Sequence, residues 1–158
     1  MGENCERFLP MCIKSVQDAD NIIYCDGGST DKTITIAMSY TLRGIYDDAI
    51  QPDDVETFFI IENKYNQEDK GMNGKQRNFY LDYLKQHHMG EYALILDADE
   101  VLDTGGIQKI RDFIDNPPEM MTDISSVKMR HFIENLGRED ATKKEHYVPH
   151  RLFKIKED

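Results

Sequence analysis

Positive charge is scarce in this sequence: 19 Lys and Arg face 30 Asp and Glu over 158 residues, a net charge of −11. A surface so acidic repels nucleic-acid phosphates and anionic lipid, which argues against a general nucleic-acid binder. Long apolar runs are missing too. The longest, Phe58-Phe59-Ile60-Ile61 and Ala93-Leu94-Ile95-Leu96, fall far short of the roughly 18 residues that span a bilayer. Met1 to Pro10 has no apolar core, so no signal peptide is expected and the cytoplasm is the expected compartment. Only three cysteines occur, Cys5, Cys12 and Cys25, an odd number without a C-x-x-C pair. They fit free thiols in a reducing environment better than a disulfide frame or a zinc knot. Tryptophan is absent, which by itself excludes no function. Repeats, low-complexity stretches and Ser/Gly linkers are lacking, so residues 1–158 are read as one domain.

What is present supports a folded core. A 39% hydrophobic content is low for a globular chain and 31% charged is high, yet neither reaches the disordered regime. Residues 5–17 carry Phe8, Leu9, Cys12, Ile13 and Val16 at helical spacing. Ile22-Ile23-Tyr24-Cys25 reads as a buried strand stopped by Asp26-Gly27-Gly28. Ser29 or Thr30 then caps a helix to Leu42, with Ile34, Ala37, Met38 and Thr41 inward and Gly44 closing it. A second strand covers Val55 to Ile61, and Glu62 to Asn73 is a long polar loop. A helix from Gly74 to His88 puts Phe79, Tyr80, Tyr83 and Leu84 on one side. The third strand, Tyr92 to Leu96, runs into Asp97-Ala98-Asp99-Glu100. Thr104 caps a helix bearing Ile107, Ile110 and Ile114, which Asn116-Pro117-Pro118 stops. A last strand, Ile124 to Ile133, precedes a charged tail containing histidines. Such alternation predicts an α/β sandwich with a mostly parallel sheet, with ligands at the carboxyl ends of its strands. The acidic turns at Asp26 and Asp97 both fall there.

Asp97-Ala98-Asp99 is the sharpest chemical signal. In an extended segment residues i and i+2 share a side, so both carboxylates would face one site while Ala98 points inward. Two adjacent carboxylates repel unless a cation neutralises them, and hard oxygen donors select Mg2+ or Mn2+. An acidic turn without a ligand is the plainer alternative. In Asp26-Gly27-Gly28-Ser29-Thr30-Asp31-Lys32-Thr33 the glycines permit positive φ and close backbone approach. The helix start there favours an anion or a polar ring edge, and Asp26 can accept hydrogen bonds from ribose or a base. Ordinary strand-to-helix turn chemistry explains the glycines equally well. Gly74-Lys75-Gln76-Arg77-Asn78 brings basic residues to a helix start, suited to a diphosphate or simply to solvent.

In this order and spacing the segments resemble family 2 glycosyltransferases of the GT-A fold, a Rossmann-like three-layer α/β sandwich. Asn4-x-Glu6-x-x-Leu9 with Ser15-Val16 is similar to the family's N-E-E…L…S-V opening. The Asp26–Thr33 stretch resembles its D-G-S-T-D-x-T turn, Gln76-Arg77-Asn78 its A-R-N helix start, and Leu96-Asp97-Ala98-Asp99-Glu100 its D-x-D strand. The D-A-D-E form, with Arg151-Leu152-Phe153, resembles the branch that includes lipopolysaccharide-core glucosyltransferases. The likeness covers about residues 4 to 153.

The resemblance implies a nucleotide-sugar donor, with UDP-glucose favoured, and a saccharide acceptor or water as partner. Substrate contacts would come from Glu6, Asp26, Gly28 and Asn73, and from Arg77, Asp97 and Ala98. Asp26 would hold base or ribose, Arg77 the nucleotide or its phosphates, and Asp97 ribose or a metal-bound water. Asp99 would ligate a Mn2+ or Mg2+ bridging the diphosphate, with His150 or His146 able to complete the coordination or to lie in a surface tail. Inversion at the anomeric centre would need a base, for which Glu134, Glu139, Asp140, His146 and His150 stand as candidates. Two departures are visible: only Met1-Gly2-Glu3 precede Asn4, where the family has a full strand, and little chain follows Arg151 to form an acceptor region. These predict an open sheet edge suited to a second copy of the chain. They also predict slow metal-dependent hydrolysis of a UDP-sugar.

Two rival readings remain open. Leu94 to Leu102 also fits the D-x-D-x-[TV]-L strand end of HAD-type phosphohydrolases, although little chain follows it and the glycine turn would go unexplained. A folded but inactive nucleotide-binding module is the non-enzyme alternative.

Overall fold

A computed structural model describes residues 1–46, 58–64, 72–119, 123–128 and 149–156, the side chains of 42–46 and 72–73 excepted. The chain divides into two compact units. One comprises Met1–Gly90 and Leu96–Pro117, the other Glu91–Ile95 and Pro118–Asp158.

The first unit opens with helix α1, Leu9–Ser15, begun by Pro10, whose fixed φ suits a first helical turn. Leu9, Cys12 and Ile13, at i, i+3 and i+4, form its buried stripe. Strand β1, Ile22–Asp26, pairs in parallel with β2, Phe58–Glu62, in the register Ile22↔Phe58 to Asp26↔Glu62. A parallel pair needs a crossover, and helix α2, Thr33–Tyr46, lies in that connection. Leu9, Ile13, Tyr24, Ala37, Cys5 and Ala98 make the core, with Ile34, Ile36, Tyr40, Phe58 and Ile60 packed against it. Helix α3 is Met72–Gln86, and α4 is Gly106–Asp115.

The chain start extends the parallel pairing. Gly2 donates its amide to the Cys25 carbonyl at 3.2 Å and accepts the Gly27 amide at 2.9 Å, a parallel bridge to Asp26. On the other side the Met1 nitrogen donates to the Leu96 carbonyl at 2.9 Å, and the Met1 carbonyl accepts the Ala98 amide at 2.8 Å. Met1 and Gly2 thus lie between strand β1 and the Leu96–Ala98 segment, where the resemblance expects a strand.

The second unit is a three-stranded antiparallel sheet in the order β3-β5-β4: Tyr92–Leu94, His150–Lys154 and Ile124–Ser126. Its centre is β5, with Ala93 opposite Phe153 and Ile124 also opposite Phe153. Leu152, Ala93 and Ile95 are buried there, together with Arg151.

Several local expectations are corrected. Residues 97–100 are a turn rather than an extended segment, closed by the Glu100 amide on the Asp97 carbonyl at 2.9 Å. The Glu100 carboxylate drives it by accepting the Asp97 amide, also at 2.9 Å. Helix α2 starts at Thr33, capped by Asp31 on the Thr33 amide at 2.9 Å, not at Ser29 or Thr30. Met38 faces outward, 52% exposed, and on α3 Phe79 lies outside while Gln76 is buried. Thr104 does not cap α4; Gly105, at φ 67°, holds that position. The third strand stops at Leu94 and pairs antiparallel. The stretch taken as a tail supplies the central strand β5, because five residues of mixed polarity carry no readable period. Of the loop Glu62–Asn73 and the strand Ile124–Ile133, residues 65–71 and 129–133 lie outside the described residues.

Candidate functional site

The two acidic turns belong to the first unit and flank the chain start. At the first turn, Asp26 is only 2% exposed. Its Oδ2 accepts the Gly28 and Ser29 amides, each at 2.8 Å, and its Oδ1 accepts the Ser29 hydroxyl at 2.6 Å and the Tyr24 hydroxyl at 3.2 Å. Four donors for two carboxylate oxygens satisfy a buried charge that would otherwise be costly. The Tyr24 hydroxyl also lies 3.1 Å from the Gly2 carbonyl and 3.2 Å from Cys5 Sγ. Burial, then the contact with Cys5, raises the Tyr24 pKa well above that of a free phenol.

The N-x-E opening clasps this turn. Asn4 Oδ1 accepts the Thr30 amide at 2.8 Å and the Asp31 amide at 3.3 Å, while the Asn4 amide donates to Ser29 Oγ at 2.9 Å. Glu6 accepts the Lys32 amide at 3.0 Å, and the Cys5 amide donates to Thr33 Oγ1 at 2.9 Å. The amides before α2 are therefore satisfied by side chains of this clasp. Gly28 has φ +102°, which a glycine tolerates at little cost. A Cβ there would meet Lys64 Cγ at 3.4 Å, so the Lys64 stem lies against the turn while its ammonium pairs with Glu62 at 3.4 Å.

At the second turn, Ala98 is 4% exposed and packed in the core, Asp97 is half-buried and Asp99 exposed. Beneath it, Cys12 Sγ lies 3.7 Å from the Asp97 carbonyl. Ser15 Oγ donates to the Cys12 carbonyl at 2.7 Å and accepts the Leu102 amide at 3.0 Å, tying α1 to the segment after the turn. Burial pushes the Cys12 thiol up to about 11, with Glu100 and Asp99 adding to the rise against the opposing N-terminal charge.

On α3, Gln76 is buried, donating to the Asn63 carbonyl and accepting from Cys25 Sγ at 3.5 Å. Arg77 beside it has a buried Nε without a hydrogen-bond partner among the described residues. Asn73 lies on α3. In the second unit, His150 is exposed with Nδ1 3.0 Å from Ser126 Oγ. Glu134, Glu139, Asp140 and His146 lie outside the described residues. Among the described residues no group of three or more His, Cys, Asp or Glu could hold a metal ion. The donor set at 97–99 nevertheless fits Mn2+ or Mg2+ in kind: two carboxylates on one turn, leaving positions for water and phosphate oxygens.

The sequence alone assigns no site role to Gly2, Tyr24 or Lys64. No pattern marks them; their roles come from close packing and from pairings between segments distant in the chain.

The family model for Glycosyl transferase family 2 matches residues 3–151. No curated protein and no solved structure matches the chain significantly.

Proposed function

The chain belongs to glycosyl transferase family 2, with a small α/β fold of the GT-A kind, and from that premise we propose that it uses a UDP-sugar, UDP-glucose favoured, with Mn2+ or Mg2+. Family membership gives the coarser statement: a glycosyltransferase, with a nucleotide-sugar donor and an acceptor. The D-A-D-E turn and the R-L-F segment, now strand β5, support the lipopolysaccharide-core branch and hence glucose.

One observation carries the reading. Met1 and Gly2 bridge to the Asp97 and Asp26 turns respectively, through the main-chain bonds described above. Neighbouring strands lie about 4.8 Å apart, so turns on either side of the chain start are within reach of one extended ligand. That spacing supports a nucleoside beside the Asp26–Gly28 turn and a diphosphate beside Asp97 and Asp99. Arg77 supports the same polarity as a cation at the start of α3, half-buried beside Gln76.

Asp97 and Asp99 would hold the divalent ion. The ion supplies Lewis-acid stabilisation of charge developing on the leaving diphosphate. Asp26 acts through the turn it organises, and Glu6 through the clasp that holds that turn. A general base would take the proton of an acceptor hydroxyl or of water. The new C–O bond forms as the bond from the anomeric carbon to the diphosphate breaks, and UDP leaves with the electron pair. Attack opposite the leaving group inverts the centre.

The test is UDP release from UDP-glucose, followed with Mn2+ and with EDTA, which reads transfer and hydrolysis alike. Metal-dependent release is expected, reduced about 100-fold or more in Asp99→Ala. Release that persists in EDTA, or is unchanged in Asp99→Ala, would overturn the metal reading.

A further inference from the structure

Gly2 sits where two turns are drawn together, and no room exists for a side chain. A Cβ built on it would lie 2.7 Å from Ala98 Cβ and 3.0 Å from Cys5 Sγ. Carbon atoms in close-packed interiors settle at roughly 3.5–4.0 Å, so the first contact demands movement. Ala98 has no rotamer with which to yield, and both it and Cys5 are buried.

Movement of Ala98 cannot stay local. It is the middle residue of Asp97-Ala98-Asp99, and its amide is bonded to the Met1 carbonyl at 2.8 Å. The turn is closed on itself by both Glu100 contacts to Asp97. On its opposite side Gly2 is bonded to Cys25 and Gly27, the neighbours of Asp26. Bulk at position 2 therefore presses on the carrier of both carboxylates while the Asp26 strand holds the other side fixed.

We infer that Gly2 is a positioning residue of the acidic turn: its missing side chain lets Ala98 seat against the chain start and sets where Asp97 and Asp99 present their carboxylates relative to the Asp26 turn. The inference rests on the proposed role of Asp97 and Asp99 in holding the divalent ion. It concerns a residue that belongs to none of the recognised motifs, four positions before Glu6.

The experiment compares wild type, Gly2→Ala and Gly2→Ala/Ala98→Gly, the last restoring the space that the added methyl takes. Free Mn2+ is counted by electron paramagnetic resonance during titration with UDP, at a temperature where circular dichroism shows each protein folded. Gly2→Ala should lose about tenfold or more in Mn2+-dependent UDP affinity, the scale on which supports of metal ligands act. The double variant should return to within about threefold of wild type, which a general loss of stability would not predict. Unchanged affinity in folded Gly2→Ala overturns the inference, as does a folded double variant that fails to recover. If Gly2→Ala does not fold, the double variant decides alone: near-wild-type binding supports the inference, and failure to fold or to bind overturns it. Absence of Mn2+-dependent UDP binding in the wild type would sink the metal reading itself, and is seen before any variant is compared.

Discussion

The Asp31 carboxylate accepts the Thr33 amide at 2.9 Å and the Glu6 amide at 3.3 Å, so one charge ties the glycine turn to two other segments. Partial desolvation pushes its pKa up, but hydrogen bonds from the Thr33 hydroxyl and amide and from the Glu6 amide outweigh it, leaving the group below 3.8. A depressed folded-state pKa means stability that is present above the unfolded value and lost as pH falls through the folded one. Asp31→Asn keeps a capping side chain and removes the charge. Denaturant unfolding at neutral pH should find the variant less stable, and the two curves should converge as pH falls below the ordinary aspartate value and through the depressed one. A constant gap over that range would show that the charge contributes nothing. The cysteines behave oppositely: burial raises Cys12 and Cys25 to about 11, so at neutral pH both are protonated packing groups.

Among the elements, the segment Asn4–Glu6 does most to hold the site in shape, since it fastens the residues before α2 that would otherwise form an open loop. Asn4 itself has φ +52°, a region where Asn and Gly are tolerated and Ala is strained. Asn4→Ala loses the caps on Thr30 and Asp31 and adds that strain, for about 2 kcal/mol in all. Asn4→Gly loses the caps alone and should cost about 1 kcal/mol. Chemical denaturation of both variants checks the ranking, and equal costs would remove strain from the account. The N-x-E and D-G-G-S-T-D patterns were legible because short polar motifs recur in fixed order. Their side chains nevertheless spend much of their capacity on one another: Asp26 is saturated within its turn, and Glu6 caps Lys32. Helices α1 and α4 and strands β1 and β2 were legible from periodicity and apolar runs. Strand β5 was not, because its pairing with β3 and β4 spans tens of residues and leaves no local trace. The turn at Asp97–Glu100 was misread as extended because a Glu three residues after an Asp carries no strand or turn signal until its carboxylate finds the Asp97 amide.

For the molecule as a whole the governing quantity is the net charge of −11. UDP carries its charge in the diphosphate, and uridine is neutral, so the pair separates electrostatics from recognition of the nucleoside. In EDTA the protein repels UDP. Added monovalent salt should then strengthen UDP binding, because screening shortens the reach of that repulsion to about 10 Å at 0.1 M. With Mn2+ present the sign reverses: the bridged diphosphate is held by attraction, so salt should weaken it, and affinity should exceed the EDTA value by about tenfold or more. Uridine should bind equally in both conditions and show little salt dependence. Isothermal titration across 50–300 mM NaCl, four series in all, reads these slopes. If Mn2+ strengthened uridine binding as much as UDP binding, the ion would be acting on the fold rather than between two negative partners. If UDP bound as tightly in EDTA as with Mn2+, the protein's own cations, Arg77 and Lys64 foremost, would be sufficient against the acidic background.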